Sequence, residues 1–360
     1  IKRDSKGKLI GSRRYNMSKR EFLLKNNKIT SYNNEVRLAP MEYIECFGGT
    51  GNDLGFDTVG VKKRVNKLMI DEKDKIFVTK RGYFVWVFQD GSEYNSREFV
   101  KNDFHKVKGK TDSAFVKWID DPQGRFTVSV LPRKNNQRTK ENGHWKSNNP
   151  FEYTHSGDPF TFLDSTQIND SNREDKSGSS QGGLACLRER DLVTDPIGVD
   201  TEFIKSYHFV YDYLFRPTST EEFGEDAIMA MVYYGGMIFP EVNVKNLWKY
   251  IVERGFRGYL LHMTDENGMY KKEPGFSTQK ASKQELFASI KSYTYKHVHK
   301  ENHMNILNDI LAIKGLKDMT NRDLFTAAAG CLYGSSSRHR EYLEEVVDEN
   351  NDDWFDFTEY

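Results

Sequence analysis

The stretch STEEFGEDAIMAMVYYGGMIFPE, residues 219–241, reads as a helix that stops on two glycines and passes into a short strand closed by an acid. Ser219, Thr220 and Glu222 supply side chains that satisfy the free N–H groups of a first helical turn. Phe223, Ala227, Met231 and Tyr234 then recur at helical spacing, which predicts a helix from about Glu222 to Tyr234. Gly235-Gly236 ends it, since glycine adopts the left-handed conformation that closes helices. Met237-Ile238-Phe239-Pro240 is a short apolar run and reads as a strand with Glu241 at its end.

Working outward, the same alternation continues. Strands are expected over Tyr153–Leu163, Leu184–Glu189 and Tyr207–Leu214 before this helix. A helix over Lys245–Arg254, a strand over Tyr259–Met263, and helices over Ser282–Lys296, Met304–Ile313 and Asn321–Leu332 are expected after it. Residues 150–335 therefore predict an α/β domain, a mixed sheet flanked by helices. Upstream, strand-like runs at Lys75–Thr79, Tyr83–Phe88, Phe115–Ile119 and Phe126–Leu131 predict a small β-rich linker subdomain over residues 35–149. Its boundary falls in the Asn- and Lys-rich segment 132–149.

Residues 1–34 are polar and basic and are expected to be poorly ordered; opening on Ile1, the chain reads as a piece of a longer one. Residues 336–360 form an acidic tail, with Trp354, Phe355 and Phe357 among its carboxylates. The 360 residues carry no net charge, so overall charge points to no partner. Basic side chains cluster at the start and again at Arg133, Lys134, Arg138, Lys140 and Lys146, where they can neutralise phosphates or simply be solvated. No run reaches the length of a membrane span and no secretory leader pattern opens the chain, so a soluble intracellular protein with no membrane partner is expected. Cys46, Cys186 and Cys331 are odd in number and far apart, which favours reduced thiols over a disulfide framework or zinc site.

Three acids stand where the chain changes from one element to another: Asp158, Glu241 and Asp323. Carboxylates gathered at one edge of a sheet could hold two Mg²⁺ or Mn²⁺ ions about 4 Å apart, the arrangement that activates water and stabilises a leaving oxygen in phosphodiester hydrolysis. Asp318 and Asp164 are nearby alternatives.

The text around these acids resembles the nuclease part of bacteriophage terminase large subunits, the motors that package viral DNA. The resemblance rests on Tyr153 to Phe160 with Ser177 to Ala185, on Glu225-Asp226-Ala227 through Tyr233 to Asn243, on Gly275-Phe276-Ser277-Thr278 with Lys283, and on Asn321 to Ala329. Ala39 to Phe47 is similar to the stretch linking that family's ATPase and nuclease halves. Two departures stand out: the polar pair His155-Ser156 precedes the first acid, and Arg322-Asp323 stands where many relatives carry two acids.

The resemblance implies an RNase H-like fold and cleavage of double-stranded DNA, with Asp158, Glu241 and Asp323 as metal ligands. It also implies a host-cell cytoplasmic setting, with the portal and the small terminase subunit as partners. Lys283, Arg133, Lys134 and Arg138 are the candidate DNA contacts. Phe47 to Asp53 lacks the G-K-[ST] ending of a phosphate loop, so this piece is expected to cut DNA without pumping it. A junction resolvase and a non-catalytic DNA-binding packaging component are the alternatives. His297, His299 and His303 read as surface histidines, and the aromatics Trp86, Phe88, Trp118, Trp248 and Tyr250 as core.

Overall fold

The structure, a computed structural model, describes residues 2–3, 9–10, 12–26, 28–39, 41, 55–107, 109–160, 181–189, 206–243, 246–263 and 269–336. The Gly-rich segment 47–53, Cys46, Asp164 and residues 337–360 of the acidic tail lie outside them. Strands β1 (Lys2–Arg3) and β2 (Leu9–Ile10) pair with each other, and helices α1 (Ser12–Lys25) and α2 (Ile29–Leu38) follow. Much of residues 12–34, expected to be poorly ordered, is thus helical, with Arg20 reaching the Ala39 carbonyl at 2.7 Å.

Helix α3 (Thr58–Lys73) starts on Asp57, whose carboxylate accepts the Gly60 N–H at 2.9 Å. It ends where Lys75 turns left-handed and the Ile76 N–H reaches back to the Asp71 carbonyl at 2.8 Å. Lys75–Thr79, expected as a strand, is spent on closing that helix, and Ile76 and Phe77 face solvent.

The strands that follow are β3 (Lys80–Val87), β4 (Glu93–Tyr94), β5 (Phe115–Asp120) and β6 (Phe126–Val128), with helix α4 (Ser96–Lys101) between β4 and β5. A separate hairpin, β7 (Arg138–Glu141) and β8 (His144–Ser147), turns on Asn142 and Gly143, both left-handed as a tight hairpin turn requires. Then come β9 (Tyr153–Asp158), β10 (Gly182–Arg188) and β11 (His208–Phe215), helix α5 (Thr220–Tyr234) and strand β12 (Met237–Pro240). The chain continues through helices α6 (Asn246–Glu253), α7 (Lys280–Lys296) and α8 (Met304–Ala312) to α9 (residues 323–336).

Eight strands form one mixed sheet, ordered β12-β9-β10-β11-β6-β3-β4, with β5 also paired to β3. The β12–β9 pairing is parallel, and the other ladders of this sheet are antiparallel. Since β6 pairs with β11 through Tyr211 and Val128, the boundary expected near residue 149 falls between strands of a continuous sheet. Tyr259–Met263, expected as a strand, opens with a 3₁₀ turn at Arg257–Tyr259 and adds a single parallel bridge from Leu260 to Ile238.

Alternation along β10 explains the layering. Leu184 and Cys186 enter one apolar cluster with α5, α6 and the rings of Phe84, Trp86 and Phe126. Ala185 and Leu187 enter a second with α3, α7, α8 and α9. Both faces of β10 are covered, and every residue of the strand is buried.

Helix α5 departs from the simple one-faced helix that its spacing suggests. From Glu222 to Tyr234 it is buried all round, so three of its acids need partners. Glu225 accepts hydrogen bonds from Trp86 Nε1 at 2.6 Å, Tyr250 Oη at 2.9 Å, and Arg254 at 2.9 and 3.0 Å. Glu222 and Asp226 share Arg125, and Tyr213 Oη adds a bond to Asp226 at 3.0 Å.

Candidate active site

Asp158 ends β9, and Pro159, which has no N–H to donate, follows it. Its register partner on β10 is Gly183. A side chain at residue 183 would run into the start of α9, because a Cβ there would stand 2.5 Å from the Asp323 carbonyl oxygen. Glycine at this position lets the helix rest directly on the strand and brings its first residue, Asp323, over the end of β9. Asp323 Oδ2 accepts the Gln181 N–H at 2.8 Å, which ties the helix start to the entry of β10.

Glu241 reaches the same place along β12. Its N–H donates to the Gly157 carbonyl at 2.9 Å, extending the parallel ladder by one residue. From the other side, Val242 and Phe276 lock the segment through bonds of 2.8 and 3.0 Å to the Phe276 and Pro240 carbonyls. Gly275 is left-handed there, and a Cβ on it would be 1.9 Å from the Pro240 carbonyl. The buried Glu241 side chain is held by one oxygen: Oε1 accepts from Thr278 Oγ1 at 2.7 Å and from Asn243 Nδ2 at 2.8 Å.

Three acids separated by more than eighty residues each thus meet at one end of the sheet. Their charges act on one another there. The Asp158 carboxyl is held well above the usual carboxylate range, first by burial and then by the negative charges of Glu241 and Asp323. A proton shared in a hydrogen bond with Glu241 raises it further, and a hydrogen bond from the Thr326 hydroxyl opposes the rise.

The donor set is all carboxylate and hydroxyl oxygen, the chemistry that Mg²⁺ and Mn²⁺ select. Crowded like charges of this kind are what a divalent cation relieves. In the observed arrangement, however, Asp158 is turned to Glu241 and Asp323 to Gln181. Among the described residues no group of three or more His, Cys, Asp or Glu is set to hold a metal ion.

The other expected site residues are dispersed. Asp318 accepts the Lys314 and Gly315 N–H groups at 2.8 and 3.0 Å and closes a 3₁₀ turn. Lys283 is half-buried on the first turn of α7, a few residues after Thr278. Arg133 and Lys134 are exposed in the turn before β7. That segment is tied by the Asn136 N–H to Tyr233, and Ser147 Oγ accepts from Gly236 at 3.0 Å. It therefore lies where β9 and β12 begin, about 17 Å of strand away from Asp158 at 3.3 Å per residue. Arg138 is occupied elsewhere: it donates to the Thr111 and Ala114 carbonyls at 2.7 Å and stacks 4.5 Å over Trp145.

His297 and His303, read as surface residues, are buried, while His299 is exposed. His303 bonds Asp212 Oδ2 through Nδ1 at 2.7 Å and Ser129 Oγ through Nε2 at 3.0 Å. The connectivity is that of an acyl-transfer triad. The imidazole has no exposure, and the Ser129 hydroxyl faces the Phe209 and Val210 carbonyls at 3.2 and 3.3 Å, so the cluster ties α8 to the sheet.

Gln181, Thr278 and Thr326 surround the acids but were not singled out as site residues from sequence. Thr326 follows Asp323 by three residues, and so shares its helical face, the one local signal available. No family model and no curated protein matches this chain. No described helix is long and apolar enough to cross a membrane.

Proposed function

We propose that this chain is a metal-dependent endonuclease that cleaves double-stranded DNA, the RNase H-like nuclease part of a viral DNA-packaging terminase. The observation that carries the reading is the convergence of Asp158, Glu241 and Asp323, with Asp158 pushed upward by both of the others. The topology supports it as well. Three antiparallel strands lead through a helix to a fourth that lies parallel beside the first, and the first and fourth end at an acid. This is the order in which the resemblance expects the two acids.

Asp158, Glu241 and Asp323 would hold the ions, Mg²⁺ or Mn²⁺ and two in number on this reading. Bound there, the ions supply Lewis acidity that makes water nucleophilic and stabilises the leaving oxygen. Thr278 and Asn243 fix Glu241 Oε1. Thr326 steadies the ionised form of Asp158 with its hydroxyl. On this reading the exposed Arg133 and Lys134, and Lys283 on α7, would touch backbone phosphates, contacts that carry no base information. The portal, the small terminase subunit and a host-cytoplasmic setting belong to the same reading.

A second reading, a non-catalytic DNA-binding packaging component, is favoured by the absence among the described residues of a ready three-ligand group. Incubation with supercoiled plasmid and Mn²⁺ separates the two. Nicking by the wild type that is lost in an Asp158→Ala, Glu241→Ala variant is expected; no nicking, or nicking that survives both substitutions, sinks the nuclease.

A further inference from the structure

At the end of the sheet where β9 and β12 begin, the β7–β8 hairpin folds over residues 257–262 and leaves a cleft of about 370 Å³. His144 and Lys146 line one wall, Arg257 and His262 the other, and Glu141 is the one carboxylate. Glu141 is ion-paired to Lys146, so these two charges offset each other and Arg257 sets the balance of the cleft. Arg257 is exposed and has no ion pair among the described residues, so the net character is cationic.

Packing, not charge, holds this cleft in shape. The Trp145 N–H donates to the Gly255 carbonyl at 2.8 Å, and the Trp145 ring is clamped by Arg138. Gly258 permits the close approach, since a Cβ there would lie 2.7 Å from both the Trp145 carbonyl oxygen and Lys146 Cβ. The backbones that carry Lys146 and Arg257 are therefore set face to face before any ligand arrives, which lowers the entropy lost on binding. The exposed Arg133 and Lys134 lie on the chain that leads into the same hairpin, and Lys140 within it is ion-paired to Asp112.

We propose that this cleft binds the phosphate backbone of duplex DNA, as a second contact remote from the three acids. Duplex DNA offers a negative charge about every 1.7 Å of its axis, so a rod lying along β9 meets both ends of that strand. Phosphate contacts here would set the register of the duplex without reading its sequence. The proposal rests on the reading of this chain as one that acts on DNA, but not on its cutting it.

The test is fluorescence anisotropy of the full chain with a short labelled duplex, in EDTA, over a series of KCl concentrations. A Lys146→Ala, Arg257→Ala variant should weaken binding roughly tenfold and lower the slope of log K against log salt by about 2, one unit per lost phosphate contact. Both side chains are exposed, so its melting temperature should match the wild type, and Lys73→Ala on α3 should leave the slope unchanged. A wild type that binds duplex beside a double variant of equal affinity and slope overturns the cleft and leaves the nuclease reading standing. Loss of binding in the double variant, beside a wild type that nicks no plasmid, upholds the cleft and removes the nuclease. A wild type with no affinity for duplex at low salt overturns both.

Discussion

Gly183 and Asp323 meet backbone to backbone: a Cβ on residue 183 would stand 2.5 Å from the Asp323 carbonyl oxygen and 2.9 Å from the Leu324 nitrogen. Gly183 is also the register partner of Asp158. The distance between the first and third acids is thus governed by the one residue between them that has no side chain.

Gly183→Ala is expected to lift the start of α9 from β10. Forcing a methyl group into such a contact costs about 1–3 kcal/mol, and a shift near 1 Å at a reacting centre costs on the order of a hundredfold in rate. Plasmid nicking should fall by that amount while the protein still melts cooperatively. Gly315→Ala is the control, because open space surrounds that glycine.

Thr278→Val removes one of the two groups that hold Glu241 Oε1 while preserving shape. Loss of such a supporting hydrogen bond lowers metal affinity or activity by roughly ten- to a hundredfold. Mn²⁺ titration by calorimetry and nicking should decline together, and Thr278→Ser should restore both. An unchanged Mn²⁺ affinity in the valine variant would show that Glu241 needs no support.

Arg254→Met leaves the Glu225 carboxylate buried in α5 with only Trp86 and Tyr250 as donors. Removing one partner of a buried ion pair costs about 3–5 kcal/mol. Urea unfolding should show that loss, and adding Glu225→Gln should recover part of it. Nicking measured well below the melting temperature should survive.

Stability should depend on pH through histidines of opposite sign. Burial disfavours a charged His303, but the hydrogen bond and charge of Asp212, with Glu301, outweigh it and raise its pKa. Its contribution is fully present below the unfolded value near 6.5 and is lost as pH rises through the folded value. His208 and His297 are pushed down to about 4, chiefly by burial and then by nearby cations. They bind protons more readily when unfolded, so stability falls as pH drops from about 6.5 towards 4. Thermal melts across this range should show His303→Gln flattening the alkaline decline and His297→Gln flattening part of the acid one. Unchanged profiles in both variants would refute the assignment.

Much of the α/β half was legible because its signals are local. Ser219 accepts the Glu222 N–H at 3.1 Å as its position implies, and Gly235 closes α5 in a left-handed conformation. Strands β9 to β12 lie close to the apolar runs that mark them. Illegible were features decided by distant partners. Lys75–Thr79 has a strand's composition but serves as a helix stop, and the pairing of β6 with β11 depends on a contact between residues more than eighty positions apart. The burial of Glu222, Glu225 and Asp226 was hidden for the same reason, since Arg125, Trp86 and Arg254 come from other elements.

The candidate site divides along the same line. By itself the sequence determined which acids stand at the ends of elements, because a strand's alternation, a helix cap and a glycine stop are written in neighbouring residues. Only the tertiary structure decided that Asp158, Glu241 and Asp323 share one end of the sheet, that Arg138 is packed under Trp145, and that His303 is interior. Each of those outcomes depends on strand register and on how closely backbones approach at Gly183, Gly258 and Gly275. Such close approaches depend on non-local pairing, which no window of adjacent residues contains.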